Sequence, residues 1–227
     1  MVTSSFKRLK NIAILLLAPY ALFAQDYKFE IGAGAGGSFY MGDANKGLLF
    51  KNTRPSAGIV FRYNANFRWA FKADLAWAGI SGSSNGLKNV FPNNAGTDFN
   101  RNVIDLGGQM EFNFFPYSDE YTYLNAKRLT PYLMLGLGLT MASEGNEAFY
   151  GMNVPIGIGA KYKLKERLNL GIEFSFRKLF EDGLEGVDLL DDPYELNGSR
   201  MKNNDWYSMV MFSITWDFGL RCMPCNK

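Results

Sequence analysis

Residues 168–177, LNLGIEFSFR, alternate without a break. Leu168, Leu170, Ile172, Phe174 and Phe176 fall on one side, and Asn169, Gly171, Glu173, Ser175 and Arg177 on the other. Successive side chains of a β-strand point to opposite faces, so this segment carries one oily face and one polar face. Residues 206–218 repeat the pattern, with Trp206, Val210, Phe212, Ile214, Trp216 and Phe218 opposed to Tyr207, Ser213, Thr215 and Asp217. About eight such segments follow one another, near 28–41, 55–66, 68–80, 101–115, 131–142, 150–164, 168–180 and 205–219. They run to about 11–15 residues, where a globular strand has roughly 5–6. Two-sided strands in that number predict an all-β chain, a transmembrane antiparallel β-barrel of about eight strands.

In such a barrel the polar faces turn inward. They carry charges of both signs: Glu30, Arg62, Lys72, Asp74, Asp105, Glu111, Lys161, Glu173, Arg177 and Asp217. They also carry glycines, among them Gly32, Gly34, Gly36, Gly136, Gly138, Gly157 and Gly159. A barrel this narrow has room for side chains and little else. The expected interior is therefore a filled, ion-paired charge network rather than a pore, which sets aside a small porin.

Connection lengths orient the barrel. NFR (66–68) and LKER (164–167) read as tight turns, whereas 81–100 and 181–204 are long and polar. Outer-membrane barrels have short periplasmic turns and longer outer loops. An even strand count then places both ends of the barrel in the periplasm. One connection departs from the rule: 116–130, PYSDEYTYLNAKRLT, is long yet falls on the periplasmic side. A soluble barrel would hide its apolar face, and periodicity does not tell inside from outside. Strand length favours the membrane, as do aromatic residues near strand ends (Tyr40, Trp69, Trp77, Tyr132, Tyr150, Trp206 and Trp216), which read as an interfacial girdle.

The first residues add an address. Lys7, Arg8 and Lys10 precede a short apolar run, 12–23, and Ala24 suits the position before a cleavage. The run is too short for a spanning helix, which needs about 20 residues. Residues 1–24 are expected to be a secretory signal peptide, 25–219 the outer-membrane barrel, and 220–227 a periplasmic tail. No cysteine near the apolar run offers a lipoprotein site.

Composition removes other functions. Lys and Arg number 24 against 22 Asp and Glu, a balance without the uncompensated basic surface that nucleic acid requires. No histidine is present. The Ser–His pair of outer-membrane lipid hydrolases is therefore unavailable, and the chain is expected to be no enzyme. No cofactor and no metal site are expected. The acids of 181–204 lack the glycine-punctuated spacing of a calcium loop and read as a solvated outer loop.

Several blocks together resemble a known family. EIGAGAGGSFYMGD (30–43), EFNFFPY (111–117), LTPYLMLGLGL (129–139), 155–187 and NNDWYSMVMFSITWDFG (203–219), followed by a short tail with Cys222 and Cys225, are similar to the PorG-like outer-membrane barrels of the Bacteroidetes type IX secretion system. The resemblance spans nearly the whole expected mature chain. It implies a component of the protein-secretion, and in some species gliding, machinery that anchors a periplasmic ring of PorK- and PorN-type subunits to the outer membrane. Outer-membrane lipid and those subunits are the expected partners. The alternative function is an OmpX-like surface barrel that binds extracellular ligands through its long outer loops.

Two elements on the periplasmic side are then candidate contacts. Cys222 and Cys225 stand where a ring would dock, and form either an internal bridge or a bond to a partner. Secreted thiols rarely stay free. A thioredoxin-like pair would open a helix, and zinc would need two more ligands. In the 116–130 connection, Asp119, Glu120, Tyr121, Tyr123, Lys127 and Arg128 mix aromatic and charged groups as interfaces do; an ordinary solvated loop is the competing reading.

Overall fold

A computed structural model describes residues 27–41, 52–83, 98–118, 126–144, 147–180 and 206–220. The expected signal peptide, Cys222 and Cys225, Asp119, Glu120, Tyr121 and Tyr123, and the acidic stretch 181–204 lie outside these residues. The described chain forms eight strands: β1 (Tyr27–Met41), β2 (Arg54–Asn64), β3 (Trp69–Ser83), β4 (Asp98–Asn113), β5 (Leu129–Glu144), β6 (Glu147–Lys165), β7 (Leu168–Leu179) and β8 (Trp206–Leu220). Each pairs antiparallel with its sequence neighbour, and β8 returns to β1 to close an outer-membrane-type barrel. Closure removes the unpaired edge that a lipid environment would not tolerate.

The closing seam depends on glycine. A Cβ on Gly36 would lie 1.8 Å from the Val210 carbonyl oxygen, and one on Gly32 would lie 2.0 Å from that of Ile214. Side chains at these β1 positions would push β8 away.

The ladders outrun the apolar pattern. β3 and β4 stay paired out to Ser83↔Asp98, so the connection between them is 84–97 rather than 81–100. β5 and β6 stay paired out to Glu144↔Glu147. Hydrophobic alternation marks the belt that meets an apolar environment, whereas backbone pairing continues beyond it through polar residues.

The barrel is inverted relative to a soluble one. Large apolar residues point outward on all eight strands; among them Ile59, Leu137 and Ile214 are 57–61% exposed. Glu30, Glu111 and Asn153 are fully buried. An apolar surface running round the whole wall is far larger than the few hundred Å² that soluble monomers expose. Trp69, Trp77, Tyr150 and Trp216 sit on this outer face.

Tyr40 and Tyr132, expected in the aromatic girdle, point into the lumen instead. Tyr132 stands opposite Gly159, and its ring occupies the space where a Gly159 Cβ would fall, 2.4 Å away. Tyr40 stands opposite Tyr207, and the two join Ile80, Val103, Leu179 and Met209 in an apolar cluster that fills the lumen toward its long-loop end.

Candidate functional site

The lumen holds the charged residues that the alternation turned inward. Glu30 on β1, Arg62 on β2, Glu111 on β4 and Lys161 on β6 are all buried and form one cluster. Arg62 Nη1 donates to Glu30 Oε2, and Arg62 Nε lies 2.8 Å from Glu111 Oε2. Lys161 Nζ donates to that same Glu111 oxygen at 2.7 Å. Asn64 and Thr215 complete the shell of Glu30 at 2.8 and 3.1 Å. Two acids and two bases sum to zero, so each charge's desolvation is offset by an opposite charge in contact.

A second cluster centres on Arg177 of β7. Its Nε donates to Asp105 Oδ1 at 2.9 Å, and its Nη2 to Asp74 Oδ2 at 3.2 Å. Asp105 Oδ2 also accepts from the Tyr207 hydroxyl and Asn153 Nδ2, both at 2.6 Å. Lys72 donates to Glu173 at 2.5 Å, and the Tyr132 hydroxyl donates to the same carboxylate at 2.8 Å. Asp217 accepts from Lys163, and from Asn169 at 2.6 Å. Lys163 escaped the sequence reading, although its parity with Lys161 was the signal that could have found it. These bonds tie strands across the lumen as well as along the wall.

Little space remains. A cavity of about 40 Å³ lies beside Lys72, Asp74, Glu173 and Arg177. That is room for roughly two or three waters. The arrangement cross-braces the wall and blocks passage. Among the described residues no three acidic or thiol groups converge as metal ligands do.

One end of the barrel gathers the start of β1, the end of β8, the 65–68 and 166–167 turns and the β4–β5 connection. There residues 114–118 run across the mouth. The Phe114 and Tyr117 amides donate to the carbonyls of Pro131 and Phe67, each at 3.0 Å. The Tyr117 side chain is buried, and its hydroxyl donates to Asn169 at 3.0 Å. Lys161 and Lys163 stand 5.5 and 5.3 Å from its ring centre, a cation–π arrangement. Tyr117 thus stoppers the lumen, and a cavity of only about 10 Å³ remains beside it. No pattern in the sequence singled it out.

The Lys127 amide donates to the Pro116 carbonyl at 2.8 Å, which joins the two feet of the connection. Of the expected contact residues, Lys127 and Arg128 are exposed at this base, with Lys127 Nζ 4.1 Å from the Phe115 ring centre. Phe114 and Phe115 are exposed beside them.

The family described as "Domain of unknown function (DUF6089)" matches residues 7–227. No curated protein sequence matches significantly. Among solved structures, Neisserial surface protein A is similar over 84% of this chain and 97% of its own, at 14% identity and a TM-score of 0.51. Ail, the attachment invasion locus protein of Yersinia pestis, matches at 15% identity over 85% of this chain and 99% of its own, with a TM-score of 0.46. The outer membrane protein OprG of Pseudomonas aeruginosa matches at 12% identity over 86% and 97%, also with a TM-score of 0.46. The likeness to the Neisserial protein is one of fold.

Proposed function

The chain belongs to the DUF6089 family, and we propose that it is a non-enzymatic outer-membrane barrel that anchors a periplasmic secretion ring. The observation that carries an anchoring role is the blocked lumen. With four ion-pair groups inside and Tyr117 across one mouth, the barrel offers partners its two ends and lipid its wall, and offers solutes no path. Type IX secretion as the setting rests on the sequence resemblance, and so do PorK- and PorN-type subunits as the ring. In this reading the stoppered end faces the periplasm. Asp119, Glu120, Tyr121, Tyr123, Lys127 and Arg128 of the 116–130 connection make the contact with the cysteines of the tail, and Cys222 or Cys225 supplies a disulfide either within the tail or to the ring.

The test is in cells. Replacement of 119–125 by a short Gly/Ser linker, and Cys222→Ser with Cys225→Ser, are expected to lower recovery of ring subunits with the affinity-tagged barrel. They are also expected to lower secretion of cargo bearing the C-terminal sorting signal. Trimming within 84–97 or 181–204 is expected to leave both intact. The reverse pattern overturns the anchor and favours a surface barrel that works through its outer loops. Non-reducing electrophoresis decides the cysteine pairing: a larger band that collapses on reduction marks a bond to a partner.

A further inference from the structure

At the stoppered end the outer wall carries a feature that neither secretion nor anchoring requires. The β6–β7 ladder runs in register down to Lys163↔Asn169 and then shifts, so that Lys165 stands opposite Leu168. Without that bulge Leu164 would oppose Leu168, and Lys165 would follow Lys161 and Lys163 into the lumen. A bulge re-aims a side chain in this way. Leu168 in turn opposes Trp216, which is 50% exposed on the outer wall. The shift therefore places an exposed cation on the same outward row as Leu168 and Trp216.

Two arginines flank that row. The Arg128 carbonyl accepts from the Lys163 amide at 2.8 Å, which fixes Arg128 beside the end of β6. Arg167 is held by Tyr27: its Nε donates to the tyrosine hydroxyl at 2.6 Å, and its guanidinium carbon lies 4.9 Å from the ring centre. Among the described residues, Arg128, Lys165 and Arg167, with Glu166 as the one acid, line an open groove of about 860 Å³ that is floored by Leu164, Leu168 and Trp216. The described residues at its rim carry three basic groups against one acid, and the groove is continuous with the apolar wall below. A lysine on a lipid-facing row is tolerable where its head reaches the interface, and tryptophan favours the same depth.

We infer that this groove binds an anionic phospholipid of the adjoining leaflet, with Arg128, Lys165 and Arg167 on its net-negative headgroup and the acyl chains along Leu164, Leu168 and Trp216. Guanidinium and ammonium groups are the phosphate binders of proteins. An apolar floor continuous with the wall suits a lipid rather than a free phosphate. The inference rests on the membrane placement above, and the experiment separates the two.

Trp216 is the reporter. In the full chain with Trp69→Phe, Trp77→Phe and Trp206→Phe, the remaining tryptophan is titrated in vesicles with bromine-labelled phosphatidylglycerol and, separately, phosphatidylcholine. The expected result is preferential quenching by phosphatidylglycerol. Lys165→Gln and Arg128→Gln should each reduce that preference about fivefold, the factor one basic side chain near an anionic headgroup supplies. Lys165→Arg should retain it. High salt should flatten the preference in the parent protein, a control independent of whether any substitution perturbs folding. Equal quenching by both lipids overturns the site while leaving the barrel in the membrane, and so does a preference that survives both glutamine variants. No quenching by either lipid overturns the membrane placement and the site together.

Discussion

Glu111 offers the sharpest test of the braced lumen. It is fully buried and takes Lys161 Nζ at 2.7 Å and Arg62 Nε at 2.8 Å on one oxygen. Glu111→Gln keeps the shape and removes the charge. The cluster of Glu30, Arg62, Glu111 and Lys161 then goes from neutral to one excess positive charge out of reach of bulk water. Breaking a buried pair from one side costs roughly 3–5 kcal/mol. Lys161→Met alone leaves one excess negative charge and should cost a similar amount. The double variant is neutral again, so its loss should fall short of the sum of the two by about 2 kcal/mol, a coupling typical of groups in direct contact. The assay is reversible urea unfolding of the chain refolded into phospholipid vesicles, followed by tryptophan emission. Strict additivity would refute the reasoning, as would a Glu111→Gln cost under about 1 kcal/mol, within the range of a neutral hydrogen bond. Either result would mean that the lumen is wet enough to solvate each charge separately.

Other consequences test the wall, the seam and the stopper. Leu137→Arg, at an outward position 61% exposed, should lose about 2–4 kcal/mol in bilayers if it lies near the midplane; in a soluble barrel the same exposed change would be nearly neutral, and vesicle unfolding measures which holds. Gly36→Ala should part the β1–β8 seam, because its Cβ would meet the Val210 carbonyl at 1.8 Å. Its folded fraction, read from heat-dependent gel migration, should fall well below that of Ala35→Gly on the outer face, which costs only about 1 kcal/mol of backbone entropy. Tyr117→Ala removes the stopper but leaves Lys163 on Asp217 and Arg62 on Glu30 behind it. Planar-bilayer recordings should therefore find no steady conductance from this variant or from the parent protein, and a sustained open channel in either would refute a filled lumen.

What the sequence could reveal followed from a single property, the strict period of two. Parity alone sorts Ile59 from Arg62 and Leu170 from Glu173, and it needs no knowledge of which strand lies next to which. The same rule, applied consistently, would have turned Tyr132 inward, since it shares parity with Thr130, Met134 and Thr140 on β5, all of them buried. The general preference of aromatic residues for the membrane interface obscured that local signal. Partners are another matter. Glu111 meets Arg62 and Lys161 because strands β2, β4 and β6 bring the three to one level of the lumen, a consequence of strand tilt and stagger that no single strand encodes. Tyr117 acts through a fold-back whose bonds run to Phe67, Lys127 and Asn169, each in a different segment. Lys163 and Lys165 mark the limit of the rule itself. They have the same parity, yet a one-residue register shift sends the first to Asp217 in the lumen and the second to the outer wall beside Trp216. A bulge is set by how two strands end together at a turn, so the residues that break the period are those whose position must come from the ladder.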